Sequence, residues 1–274
     1  MPTASQPPRI RLAALAGMAD SDIDPAEAAL LLAALKRPRQ PIEPYLAHIA
    51  DLAAEAAATG MTPAAALAEV LGRRHGFAGD WEDEQEAEET PGISMVDLLR
   101  HRRGTPEVLG VLWLAVARRA GWSADALAFP AHLLVRIEDT AGRRVVVDPS
   151  AGGVAVDPPA MRALLKAVSG AAAELEPAHY APLPGRGLLI RLENAAKLRL
   201  LRSGQVEAAL AVVEGVLLFA PEQAAFWREA GMMHMRLDHL GEAVAALEQF
   251  VSRTASAQAR VRTQALLAEL KGRM

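Results

Sequence analysis

Apolar positions recur at helical spacing through most of the chain, so the primary expectation is a protein built mainly of amphipathic and buried helices. Asp24-Pro25-Ala26-Glu27 combines an N-cap aspartate, proline at the first helical position and glutamate at the third, followed by AALLLAALK; a helix starts there and ends before Pro38. The same spacing predicts helices over 43–58 and 62–73, the second opened by Thr62-Pro63. Residues 76–92 (GFAGDWEDEQEAEETPG) then break the period with glycines and a dense acidic run at 82–89. They read as an exposed loop with a solvated charged face. Ser94, with Asp97 at the third position, caps a helix over 94–102. Thr105-Pro106 opens a helix whose positions 107–119 are apolar nearly all round, so it is expected to be buried on most sides and to end at Gly121.

Beyond Gly121 the pattern changes. Residues 125–137 and 144–148 are rich in Val, Leu, Ile and Phe, and Ala141-Gly142 between them suggests a hairpin of two antiparallel strands packed on the buried helix. Pro130 in the first strand points to an edge or a bulge. A helix follows over 158–175, then a loop over 177–188 that marks a domain boundary. In the last part, EAALAVVEGVLLFAPEQ from Glu207 and EAVAALEQFVSRTASAQ from Glu242 align at an offset of about 35, close to the 34-residue helix-turn-helix unit. Trp227, Gly231 and Ala243 sit at the spacing of the tetratricopeptide pattern, while the first copy has Leu192 and Ala196 where the pattern has Trp and Gly. Two repeats and a capping helix at about 256–272 are expected.

Composition narrows the chemistry. Apolar residues make up 51% of the 274-residue chain but aromatics only 4%, which favours helix over sheet. A net charge of −4 gives no electrostatic case for nucleic acid or an anionic membrane. The chain has no cysteine, which removes disulfides, thiolate metal sites and thiol nucleophiles. The apolar run after the first two arginines is too short for a signal peptide, and no segment is apolar for the length of a membrane span. The cluster at 20–24 (DSDID) fails as a calcium loop, because Pro25 and Leu31 stand where glycine and glutamate are required.

Candidate chemistry concentrates in one stretch. A buried helix, then His132 in an apolar strand, then Asp148 at the end of the next strand, is the chain order of a papain-like or transglutaminase-like site. His132 would act as a general base oriented by Asp148, or the pair would tie strand to strand. The other histidines, 48, 75, 101, 179, 234 and 239, show no metal-ligand spacing, and no metal or other cofactor is expected.

The chain resembles SirB1-type proteins, which join a transglutaminase-like domain to a C-terminal tetratricopeptide segment. The resemblance rests on Gly76-Phe77-Ala78-Gly79, on Arg103-Gly104-Thr105-Pro106, on Phe129 to Arg136, and on Asp148-Pro149 with Gly152-Gly153. Ala131 stands where family members usually have glycine, and Ser150 where they have an aromatic. The pattern of active transglutaminase-like enzymes implies a cysteine at about Pro106, and the family often has a serine at the position of Val108. Thr105 is the nearby hydroxyl, with helix capping as its ordinary role. Glu107 is the nearby acid, with the helix dipole as its ordinary partner.

The expectation is therefore an α+β, predominantly helical protein. It has a helical N-terminal lobe at 1–92, a transglutaminase-like (papain-like) α+β core with a small antiparallel sheet at 93–188, and tetratricopeptide-like helical repeats at 189–274. The expected function is a non-catalytic interaction or regulatory role, of the kind a cytoplasmic bacterial protein would have. The repeats would hold a protein or peptide partner through Lys197, Arg228, Met232 and Met235, with Glu193 and Leu200 on the same mixed groove. The alternative is a transglutaminase-like hydrolase or acyltransferase that uses His132 and Asp148 with a non-cysteine nucleophile or activated water. Neither nucleic acid nor a membrane is an expected partner.

Overall fold

The computed structural model describes residues 6–37, 40–79, 94–130 and 133–273. They fall into two compact units, Ala19–Leu189 on the one hand and Met1–Met18 with Ile190–Met274 on the other. The N-terminal helix α1 (Pro8–Ala14) belongs to the second, and its Leu12 is fully buried. The lobe expected at 1–92 is thus no unit of its own: α1 goes with the repeats, and the helices after it join the core. The acidic run at 82–89 lies outside the described residues.

The larger unit opens with α2 (Pro25–Lys36), α3 (Glu43–Ala58) and α4 (Pro63–Leu67). Asp24 caps α2, accepting from the N–H groups of Ala26 and Glu27, which satisfies donors that have no partner within the helix. The helix expected over 62–73 is not α-helical throughout: from Ala68 to Arg74 it widens into a π-helix. The two-residue β1 (Ala78–Gly79), α5 (Met95–His101), β2 (Arg103–Gly104) and α6 (Pro106–Arg119) follow. Ser94 caps α5 as expected.

Helix α6 is the centre of this unit. Every residue from Val108 to Ala117 is buried, and α2, α3, α4 and α5 all pack on it. A helix apolar all round is stable only when enclosed. It also packs against a four-stranded antiparallel sheet of β3 (Ser123–Ala126), β4 (Val135–Glu138), β5 (Arg144–Asp148) and β6 (Val154–Ala155), in that order. The single strand expected over 125–137 is in fact two, β3 and β4, which pair with each other from Ala126↔Val135 to Ser123↔Glu138. Pro130 has no N–H for a ladder and interrupts the run. The connection after β3 is held by Leu127 N–H donating to Leu134 O, and Leu127 also bridges to Pro182.

Helix α7 (Pro158–Ser169) covers a second apolar cluster in which Met161 and Leu165 meet Leu127, Phe129 and Leu134. It ends earlier than expected, at Gly170, whose φ of +93° suits glycine. The unit then closes on its own start. At the beginning of α8 (Gly185–Arg202), a Cβ on Gly185 would meet the Asp20 carbonyl at 2.8 Å, and Arg186 pairs with Asp20.

The second unit contains the rest of α8, then α9 (Val206–Phe219), α10 (Ala224–Arg236), α11 (Leu240–Arg253) and α12 (Ala257–Arg273). Helix α1 packs on α9. The paired helices match the expected repeat, and the pattern residues explain their own spacing: a Cβ on Gly231 of α10 would lie 2.6 Å from Leu247 Cγ and 3.4 Å from the Ala243 carbonyl on α11. Only glycine permits that approach. No described helix is long and apolar enough to cross a membrane.

Candidate functional site

The start of α6 is fixed by Thr105, which is buried and extended, with its Oγ1 accepting from Val108 N–H at 3.5 Å. Pro106 occupies the first helical position and Glu107, half-buried, the second. The Thr105 hydroxyl, next in sequence to Pro106, is therefore a helix cap.

Three separate stretches of the sequence meet beside this helix start. Parallel pairing of Ala78 with Arg103 and Gly79 with Gly104 joins the 76–79 motif to the 103–106 motif. Gly79 N–H donates to Ser150 O at 3.1 Å, which joins both to the turn after β5. In that turn Asp148 is 7% exposed, and its Oδ1 accepts from Ser150 N–H at 2.8 Å, Ser150 Oγ at 2.5 Å and Ala151 N–H at 3.4 Å. The Asp148 carbonyl accepts from Gly153 N–H at 2.8 Å. One carboxylate oxygen thus holds the turn that carries it, in the manner of an Asx turn.

Small residues bring these pieces close. Gly153 has φ +84°, and a Cβ there would lie 2.2 Å from Trp113 Cη2 on α6. Within the π-helical stretch, a Cβ on Gly72 would lie 3.1 Å from the Gly152 carbonyl. One turn after Pro106 on α6, a Cβ on Gly110 would lie 2.2 Å from Leu133 Cδ2, so the segment before β4 runs against the first turns of the helix. Ala131 and His132 lie outside the described residues, and the expected His132–Asp148 contact lies outside them too.

Sequence reasoning missed Ser150, noted only as a departure from the family pattern, although Asp-Pro-Ser-Ala-Gly-Gly is a legible Asx-turn signal. It also missed the cluster that precedes the 76–79 motif. His75 Nε2 lies 2.7 Å from Glu55 Oε2, Arg74 reaches Glu55 at 3.1 Å, and the His48 ring stands 6.2 Å from that of His75. The hydrogen bond from His75, more than the nearby Arg74, holds Glu55 below the usual carboxylate range. Burial, aided by the neighbouring His75, pulls His48 below its ordinary value. Among the described residues no group of three or more potential ligands is placed to hold a metal ion.

In the repeat unit the expected groove residues separate. Lys197 is not a surface cation: it is 6% exposed, and its ammonium donates to Glu229 at 2.6 Å and Asn194 at 2.8 Å and lies 5.1 Å from the Phe226 ring centroid. The sequence pattern placed it on the groove. The contacts instead make it the tie between α8 and α10. Leu200 is buried as well, and Met235 packs against the cluster of Val244, Leu247, Leu267 and Leu270. Arg228 and Met232, one turn apart on α10, are both exposed.

Comparisons with known proteins agree with this architecture. The profile of the tetratricopeptide repeat family matches residues 196–268. A UPF0162 protein of Xylella fastidiosa (strain Temecula1) is 27% identical over 191 residues, covering 68% of this chain and 66% of its own length. SirB1 of Salmonella typhimurium and the UPF0162 protein YchA of Escherichia coli K12 are each 28% identical over 154 residues, covering 56% of this chain and 57% of theirs. The chain spans between just over half and about two thirds of the length of these curated relatives. No solved structure matches it. The profile of the transglutaminase-like superfamily matches residues 42–194, more than half of the sequence, and the chain belongs to that superfamily, with a tetratricopeptide segment after the matched core.

Proposed function

We propose that this chain is a non-catalytic interaction protein, in which a degenerate transglutaminase-like core serves as a rigid frame and the repeat segment docks a protein partner. The observation that carries the proposal is the start of α6. In a chain without cysteine, the resemblance puts a nucleophile at about Pro106 or at Val108, and neither side chain has a reactive atom. The two hydroxyls nearby support the same reading. Thr105 caps the helix, and Ser150 donates to Asp148 within its own turn. The first holds backbone and the second holds the carboxylate of its own turn.

A binding role needs none of the missing chemistry, and helix-turn-helix repeats offer extended surfaces suited to it. The test is to incubate the chain with activated esters and with glutamine-containing peptides, beside a His132→Ala variant. The proposal expects rates equal to buffer for both proteins. Turnover that disappears in His132→Ala while the melting curve is kept would overturn it in favour of an enzyme.

A further inference from the structure

The charges of the repeat unit are sorted by helix. The first helices of the repeats, α8 and α10, and the capping helix α12 that continues their series carry an excess of arginine and lysine. The second helices, α9 and α11, carry mainly glutamate: Glu207 and Glu214 on α9, Glu242 and Glu248 on α11. In stacked helix-turn-helix units the first helices of successive repeats lie side by side and make one continuous face. The unit therefore has a basic side and an acidic side.

Pairing within the fold sharpens this contrast. Lys197, Arg253 and Lys271 are matched by Glu229, Glu222 and Glu248. Arg202, Arg228, Arg236 and Arg262 are exposed and have neither an ion pair nor a hydrogen bond from their guanidinium groups among the described residues, and all four lie on α8, α10 or α12. On α10 the spacing of Arg228, Met232 and Arg236 puts two such arginines on one stripe with a methionine that is 45% exposed between them. What sets this stripe apart is that its unmatched charges have one sign and flank an exposed apolar side chain on the same helix.

We infer that the face made by α8, α10 and α12 binds an acidic protein segment, with carboxylates meeting Arg228 and Arg236 and an apolar side chain meeting Met232. Arginine favours this assignment because its planar fork takes a carboxylate through two parallel hydrogen bonds. Single-stranded nucleic acid is the less fitting partner. It calls for exposed aromatic platforms, whereas Phe226 is buried and Trp227 is occupied, its Nε1 donating to Pro221 O at 2.7 Å and Arg253 lying over its ring. The inference rests on the partner-docking function proposed above and specifies the partner's chemistry.

The experiment titrates the full chain into a short fluorescein-labelled Glu/Leu peptide, a Lys/Leu peptide of the same pattern, and a labelled oligodeoxythymidylate, by fluorescence anisotropy. The same titrations are run with Arg228→Glu/Arg236→Glu and, as a control on the opposite helices, Glu207→Lys/Glu242→Lys. All four substituted residues are exposed, and circular dichroism confirms that each variant is folded. The inference expects saturable binding of the acidic peptide, weakened about tenfold or more by the arginine reversals and little by the control, and weakening as salt rises. Preference for the Lys/Leu peptide would overturn the acidic assignment while leaving partner docking intact. Tight oligonucleotide binding lost on the arginine reversals would reassign the face to nucleic acid. Failure of every probe to bind would count against both the inference and the docking function.

Discussion

The start of α6 and the α10 stripe of the repeat unit use their polar side chains in opposite ways. In Ala19–Leu189, the groups around the start of α6 turn inward: Thr105 caps a helix, Ser150 and the backbone of the 148–153 turn converge on Asp148, and Ser150 O takes the N–H of Gly79. In the repeat unit, Lys197 is turned inward but arginines on the same set of helices are left to solvent. Around the start of α6 the frame pairs the polar groups that hold its backbone, because an unmatched one in the interior is costly, although Trp113 Nε1 further along α6 is buried without a hydrogen-bond partner. An interface keeps some unmatched, because the partner is to match them. The contrast fits the proposed division, with shape in one unit and recognition in the other.

The frame should therefore fail by losing stability, and the largest effect is expected at its centre. Trp113→Ala removes the largest fully buried side chain and should cost about 3–5 kcal/mol in urea unfolding. A loss below about 1 kcal/mol would mean that α6 is not the hub described. Gly153→Ala combines a left-handed φ with a contact of 2.2 Å to Trp113; backbone strain and overpacking together should cost about 2–4 kcal/mol. An unchanged midpoint would show that the turn is free to move away from the helix.

The repeat unit permits a sharper comparison between two cations. Lys197→Ala breaks a tie between α8 and α10, yet Glu229 is 39% exposed on its side chain and can rehydrate, so the expected cost is about 1–2 kcal/mol. Arg228→Ala removes an unpaired surface side chain and should change stability by less than about 0.5 kcal/mol. If the two substitutions cost the same, the division between inward and outward cations fails.

The smallest effect concerns pH. His48 titrates below its ordinary value of 6.5 in the folded chain, so the unfolded chain binds more protons in the window between the two values. Stability should start to fall as the pH drops through 6.5 and level off below the folded value. Glu55 is held below its ordinary 4.5, and its contribution is present above that pH and lost as acid protonates the folded form. Both act in the same direction, against the fold in acid. His48→Gln should flatten the upper part of a melting-temperature profile and leave the lower part; an unaltered profile would contradict the assignment to His48.

Much of this was legible in the sequence because it is local. Asp24, Ser94 and Thr105 announce helix starts through chemistry confined to four residues, and each caps as expected. Gly231 and Ala243 announce a repeat because close helix packing demands small side chains. What was not legible depends on distant partners. The burial of Lys197 is decided by Glu229 and Phe226 on another helix, and the division of 125–137 into β3 and β4 by pairing across a connection. The placement of α1 depends on α9, far along the chain. In the candidate site, the Asp148 turn could be read from Asp-Pro-Ser. Its junction with Gly79 could not, since a backbone hydrogen bond between remote segments leaves no mark on residue type.

The most direct test of the division of labour measures acidic-peptide affinity and melting temperature together for the full chain, for His132→Ala and for Arg228→Glu/Arg236→Glu. His132→Ala should bind as the unaltered chain does, and the double reversal should melt normally but bind about tenfold more weakly or worse. Binding abolished by His132→Ala in a folded protein, and untouched by the arginine reversals, would contradict that division and return the functional centre to the transglutaminase-like core.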